Sequence, residues 1–337
     1  MTDLGVLQEG RVRRAAREAR LRRARRRRVL RDITLAAVTG LGALLIFMAA
    51  RTSNPATPHA NAAAPPATTA TTHPTTPSGY HLTPATRPIR IGLKTQLRSG
   101  LLFDVRTGRV LWTKASRRTV PIASLTKMMT ALVVVAHARP NARVLITGEA
   151  LHYSGSGVGL LPRGKKVRLE TLLYGLMLPS GNDAAIALAQ HVAGTQGRFI
   201  AMMNDRAAAM GLRCTHFTTV SGIVDQGNHS CASDLAIIAH AVLTQRRLAR
   251  IVATRNAVLP FPIKGGKLWL YNNNPLLLMR YPGADGVKTG YTVAAGPCLV
   301  ASARRGRKWL AVVLLHSDDP GGQAEQLLNA GFSTRGA

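Results

Sequence analysis

Ser124 and Lys127 stand three residues apart in the run Val120-Pro-Ile-Ala-Ser-Leu-Thr-Lys-Met-Met. Pro121 and the small residues around it suit a helix entrance, and Ile122, Leu125, Met129 and Leu132 recur at helical spacing. Residues three apart share a helix face, so this hydroxyl and this amine can meet. Such a pair is a candidate nucleophile with its base. The amine accepts a proton only when neutral, which requires burial or a second cation nearby. Alone the pair says little, because Ser-x-x-Lys arises by chance about once in a chain of this length. Two further stretches add weight. Ser180-Gly181-Asn182 lies between two apolar helical runs, and Lys288-Thr289-Gly290 enters a strand-like segment.

The order Ser-x-x-Lys, Ser-x-Asn, Lys-Thr-Gly resembles that of penicillin-binding proteins and serine β-lactamases. The runs at 155–160, 172–185, 284–292 and 296–303 narrow the likeness to the low-molecular-weight, serine-type D-alanyl-D-alanine carboxypeptidases, over about Ser99 to Phe332. The resemblance implies an α+β fold of the penicillin-binding/β-lactamase-like transpeptidase kind, with a five-stranded antiparallel sheet flanked by helices and an all-helical lobe. It implies cleavage of the terminal D-Ala from peptidoglycan stem pentapeptides through an acyl-serine intermediate, and trapping by β-lactam antibiotics.

Each polar group then has an expected task. Ser124 is the nucleophile and Lys127 its base, with Lys288 as the second cation. Ser180 bonds to Lys127 and passes a proton to the leaving amine. Asn182 donates to a substrate carbonyl. By resemblance, the backbone N–H groups of Ser124 and Tyr291 hold the oxyanion. Lys288, Thr289 and Gly290 lie on an edge strand that meets the substrate's terminal carboxylate, with the peptide added as an extra strand. Asp183 reads as a helix-capping residue. The ten histidines form no His-Glu-x-x-His pattern, so neither a metal nor any other cofactor is expected.

The chain carries a net charge of +30 over 337 residues. Residues 1–32 hold 12 Arg against 4 acids, and residues 95–337 hold 29 Lys and Arg against 11 acids. Such basicity invites a nucleic-acid reading, but no nucleic-acid motif is present and aromatics are only 4%. An anionic membrane or wall is the expected neighbour instead. After the basic tail of 1–32, residues 33–50 form 18 uncharged positions, just enough to span a bilayer. Arginines on the N-terminal side would keep that end cytoplasmic. The expectation is an uncleaved single-pass anchor in the cell membrane with the catalytic domain outside. The alternative is a signal peptide cut after Met48-Ala49-Ala50. Residues 51–94, rich in Pro, Thr and Ala, read as a spacer. Residues 95–337 read as the catalytic domain. Many relatives continue into a C-terminal β-domain and tail helix, for which this sequence leaves no room, so attachment is expected at the N-terminal end.

Within that domain, Ser99–Val105 and the run from Arg109 read as a hairpin. Helical periodicity marks 169–178, 183–193, 199–210, 233–243 and 323–330, and strand-like runs return at 287–292, 299–303 and 310–315. Strands at both ends with helices between imply an antiparallel sheet with a helical insert. Cys214 and Cys231 enclose 16 residues. Outside the cytoplasm a disulfide is the favoured reading, two reduced buried thiols the alternative. Cys298 reads as core packing.

Rival functions remain. A class A β-lactamase needs a deacylating Glu between the second and third motifs, and no Glu occurs between Glu170 and Glu325. A D,D-endopeptidase acting on cross-links would use the same groups. A non-catalytic wall-binding module would not need all of them.

Overall fold

The computed structural model describes residues 79–334 except 264. The basic tail and the expected membrane anchor at 33–50 lie outside the described residues. Among those described, no helix is long and apolar enough to cross a membrane.

A six-stranded sheet forms the centre. Its strands are β1 (Thr83–Pro84), β2 (Leu97–Asp104), β3 (Arg109–Lys114), β4 (Ala284–Thr292), β5 (Gly296–Arg305) and β6 (Lys308–Ser317), in the order β1-β3-β2-β6-β5-β4. The five long strands are antiparallel, as expected. The sixth, β1, adds two residues in parallel to β3. The sequence reading places this segment in the spacer, yet the chain joins the sheet there. Ala85 and Ile89 donate to the β3 carbonyls of Val110 and Leu111, and Ile89, Ile91 and Leu93 pack on the sheet. Four apolar residues among prolines and arginines carry no periodicity, so composition hides them.

Alternation along the strands divides the core in two. Leu101, Phe103, Ala311, Val313 and Leu315 face one cluster; Leu102, Leu310, Val312 and Leu314 face the other. Both faces are covered, so these strands read as continuous apolar runs rather than polar–apolar alternation. A C-terminal helix, Pro320–Ser333, covers one face with Ala324, Leu327 and Leu328. The other face meets the helical region.

That region is built around α1 (Lys127–His137), buried from Lys127 to Val134. A helix apolar all round needs neighbours on all sides. They are α2 (Leu169–Met177), α3 (Asn182–Ala193), α4 (Gln196–Ala209) and α5 (Ala232–Thr244). Next comes α6 (Arg246–Ala253), then a two-stranded hairpin, Asn256–Pro260 with Lys267–Tyr271. Sequence periodicity did not mark either. In α6 only Leu248, Ile251 and Val252 are buried, among arginines.

A disulfide joins Cys214 to Cys231, the residue preceding α5. Cys298 is buried in β5. Closing a loop of this length stabilises by about 3 kcal/mol on the chain-entropy account. Changing both Cys214 and Cys231 to Ser therefore lowers unfolding stability by about that amount in denaturant titration without reductant. A loss below about 1 kcal/mol would mean that the loop's hydrogen bonds alone hold it closed.

Candidate active site

Ser124 does not sit on the α-helix itself. It lies in a 3₁₀ turn, Ala123–Thr126, that runs directly into α1. Ala123 there has φ of +48°, a left-handed conformation that costs a non-glycine residue about 1 kcal/mol. The turn sets Ser124 at the edge of the buried lobe, half-exposed, while Lys127 is wholly buried.

Lys127 Nζ lies 2.8 Å from Ser124 Oγ, 2.6 Å from Asn182 Oδ1 and 2.7 Å from the carbonyl oxygen of Ser221. Two of these partners can only accept. A neutral amine has two N–H groups and one lone pair, so it donates to Asn182 and Ser221 and accepts from the Ser124 hydroxyl. Burial, helped by Lys288, holds the Lys127 amine well below the ordinary lysine range, and Asp183 opposes this weakly. Lys288, itself buried, is brought down to about 7 by desolvation. Its Nζ donates to the carbonyl of the adjacent Thr289, 3.0 Å away.

The expected bond between Ser180 and Lys127 is absent, because the three positions around Nζ are taken. Ser180 Oγ is buried with no hydrogen-bond partner, on a residue with φ of +67°. A buried hydroxyl in that state is unusual and points to a ligand or water as its partner. Asn182, at the start of α3, also donates from Nδ2 to the carbonyl of Ser154 at 2.6 Å. One Nδ2 hydrogen remains for a substrate carbonyl.

Asp183 does more than cap. Its carboxylate accepts from the backbone N–H groups of Val158 and Gly159 at 2.9 and 3.0 Å, and from Ala184 at 2.8 Å. It thereby ties the glycine-rich loop at 154–159 to the helix carrying Asn182. Gly181 fits only without a side chain, since a Cβ there would sit 2.8 Å from Asp183 Oδ1 and 2.9 Å from Val158.

Strand β4 is an edge of the sheet. It brings Lys288, Thr289 and Gly290 past the Ser124 turn. A Cβ at Gly290 would lie 3.1 Å from both the Ser124 nitrogen and the Ile122 carbonyl oxygen, so glycine permits the approach. Tyr291 follows, two-thirds exposed.

Sequence reasoning missed the loop inside the disulfide. Besides the Ser221 carbonyl, Val220 O accepts from Thr130 on α1 at 2.7 Å, and Asn228 Nδ2 donates to Thr126 at 2.9 Å. Asp225 accepts from Thr292 at the end of β4, 2.8 Å away. One loop thus fastens the helix of Lys127, the turn of Ser124 and the edge strand. Much of this is backbone chemistry, which side-chain identity does not advertise. Among the described residues, Cys214, Cys231 and Asp234 cluster as metal ligands would, but the two sulfurs are bonded to each other and Asp234 accepts from Cys214 N–H.

Residues 87–319 match a family model described as D-alanyl-D-alanine carboxypeptidase, Peptidase S11. The D-alanyl-D-alanine carboxypeptidase DacF of Bacillus subtilis is 33% identical over 72% of this chain and 63% of its own length. DacB2 of Mycobacterium tuberculosis is 37% identical over 64% of this chain and 73% of its own length. A solved D-alanyl-D-alanine carboxypeptidase from M. tuberculosis superposes with a TM-score of 0.69 at 32% identity, covering 75% of this chain and 97% of that one. A mutant Streptomyces DD-transpeptidase gives 0.67 at 35% identity, covering 72% and 100%. The chain spans 63% of the length of DacF and 60% of DacD of Escherichia coli.

The depressed Lys288 has a consequence for stability. A lysine lowered to about 7 on folding disfavours the folded state wherever the unfolded chain holds the proton, below about 10.4. The cost is full below pH 7 and fades as pH approaches the unfolded value. Lys288→Met therefore raises the thermal midpoint, more at pH 6.5 than at pH 9.5, read by parallel melts of the two proteins. A gain that is equal at both pH values would mean that Lys288 is not depressed.

Proposed function

Because this chain belongs to the Peptidase S11 family of D-alanyl-D-alanine carboxypeptidases, we propose that it removes the terminal D-Ala from peptidoglycan stem pentapeptides through an acyl-Ser124 intermediate. The observation that carries this reading is the 2.8 Å approach of a buried, depressed Lys127 amine to the Ser124 hydroxyl.

The proposed steps draw on the geometry of the site and on the family resemblance. Lys127 takes the Ser124 proton as Oγ attacks the penultimate D-Ala carbonyl. By the family resemblance, the backbone N–H groups of Ser124 and Tyr291 receive the oxyanion charge. With Ser124 Oγ drawn into the acyl bond, the position that it held at Nζ is freed, and Ser180, buried and unpartnered in the resting site, relays a proton from Lys127 to the leaving amine. Lys288 and Thr289 on the edge strand meet the terminal carboxylate, and the free Nδ2 hydrogen of Asn182 meets a backbone carbonyl of the substrate. Lys127, neutral again, then activates water against the ester. An amine in place of water would give transpeptidation, the activity named for the Streptomyces neighbour. Penicillin offers the same amide and carboxylate and is taken to stop at the acyl stage.

The N-terminal region fits a cell-surface role. An apolar run at 33–50 behind an Arg-dense tail supports a single-pass anchor, cytoplasmic N-terminus and extracytoplasmic enzyme. The disulfide is consistent with an oxidising compartment.

The test is labelled penicillin added to the full chain and to Ser124→Ala, with bound label followed in time and released D-Ala assayed on a pentapeptide. The expected result is label on wild type that persists for many minutes, none on the variant, and D-Ala release lost with Ser124. Rapid loss of label would indicate a β-lactamase. No label on folded wild-type protein would overturn the reading.

A further inference from the structure

A second concave surface lies at the far end of α1 from Ser124. It is a cleft of about 1060 Å³ between the short hairpin that pairs Arg143 with Arg168, the start of α2 and the start of α6. Five arginines line it, Arg143, Arg168, Arg246, Arg247 and Arg250, against one acid, Glu170. None of these belongs to the site around Ser124.

The arrangement sets like charges against one another. Arg143 and Arg168 are directly opposed across the hairpin, where like charges destabilise. Arg246 and Arg250 are four apart and Arg247 and Arg250 three apart on one helix, again like charges at neighbouring positions. Arg246 and Arg247 open α6, at the positive end of its dipole, with no acid in the first turn. Glu170 pairs with Arg247 Nε at 2.5 Å and with Arg250 Nη2 at 3.0 Å, which occupies both its oxygens. Arg247 Nη2 is still buried without an acceptor, and Arg143, Arg168 and Arg246 have side chains at the surface. Three elements thus converge guanidinium groups on one concavity that holds a single carboxylate.

We propose that this cleft binds a soluble polyanion carrying several phosphate groups on one chain. Guanidinium forks match phosphate oxygens bidentately, and a cleft of this size accommodates several such groups. A concave cleft favours a flexible chain that can enter it over the flat array of a lipid surface. Occupancy would neutralise the Arg143–Arg168 pair and give Arg247 Nη2 an acceptor after a small side-chain shift. It would tether the enzyme beside anionic polymer without touching Ser124.

The test titrates inorganic tripolyphosphate into the full chain by calorimetry at low salt. Three proteins are compared: wild type, R143Q/R168Q, and R117Q/R118Q, whose changes lie on an exposed surface away from the cleft. All three keep the N-terminal arginines, so differences between them report the described surface. The expected result is saturable binding weakened about tenfold or more in R143Q/R168Q and less than about twofold in R117Q/R118Q. The R143Q/R168Q melting midpoint should be equal or higher, because a like-charge pair is gone; should that variant fail to fold, R250Q at a largely exposed position reads the same effect. Equal weakening in both double variants, or no saturable binding, overturns the proposal. Sedimentation with phosphatidylglycerol vesicles forms the second arm. If R143Q/R168Q loses vesicle binding while tripolyphosphate binding stays unchanged, the cleft faces a membrane and the soluble-polyanion assignment is wrong. Penicillin acylation should be unaltered in all these variants, so failure here leaves the Ser124 chemistry standing.

Discussion

A single buried amine governs the arrangement of this protein. Lys127 Nζ is shut away from water at the root of α1, and in the proposed chemistry it must stay uncharged for the hydroxyl of Ser124 to have a base. Burying an amine is costly in its ionised form. Three partners at hydrogen-bond distance solve the geometry of the neutral form, two taking its protons and one giving up its own. A second buried lysine, Lys288, adds to the pressure against charging. Admitting water to Nζ, or removing Lys288, returns the amine toward an ordinary, protonated lysine with no lone pair to offer.

Most of the surrounding structure serves to keep those partners in place. Asp183 ties the loop at 154–159 to α3 and so steadies Asn182. The disulfide closes the loop that presents the Ser221 carbonyl, and the same loop is fastened to α1 by Thr130, to the Ser124 turn by Asn228 and to β4 by Asp225. Gly290 allows β4 to pass against the Ser124 turn. The left-handed backbones of Ala123 and Ser180 add strain at the two serines, which the packed lobe sustains.

The side chains of this site were largely legible in the sequence, because each of the three motifs is short and sets its polar residues at a fixed spacing. The strands β2, β5 and β6 were legible too, through apolar runs bounded by turn residues. What escaped has a common physical cause. The Ser221 carbonyl is a backbone group, which any residue could supply. The free state of Ser180 depends on Lys127 being saturated by others. Strand β1 and helix α6 take their order from a few apolar side chains docking on a distant surface, and local pattern does not record such contacts. The sixth strand is the same effect, a two-residue addition made by docking and not by propensity.

The central claim is that Lys127 is neutral in the resting protein chiefly because burial holds it so, with Lys288 adding to the effect where it is protonated. Lysines labelled with ¹³C at Cε, assigned with Lys127→Arg and Lys288→Met, allow its titration to be followed directly by NMR. The account predicts a Lys127 titration midpoint well below the ordinary lysine value near 10.4, with a partial return toward that value in Lys288→Met. A Lys127 that titrates near 10.4 in the folded wild-type protein would contradict it, and Ser124 would then need another base.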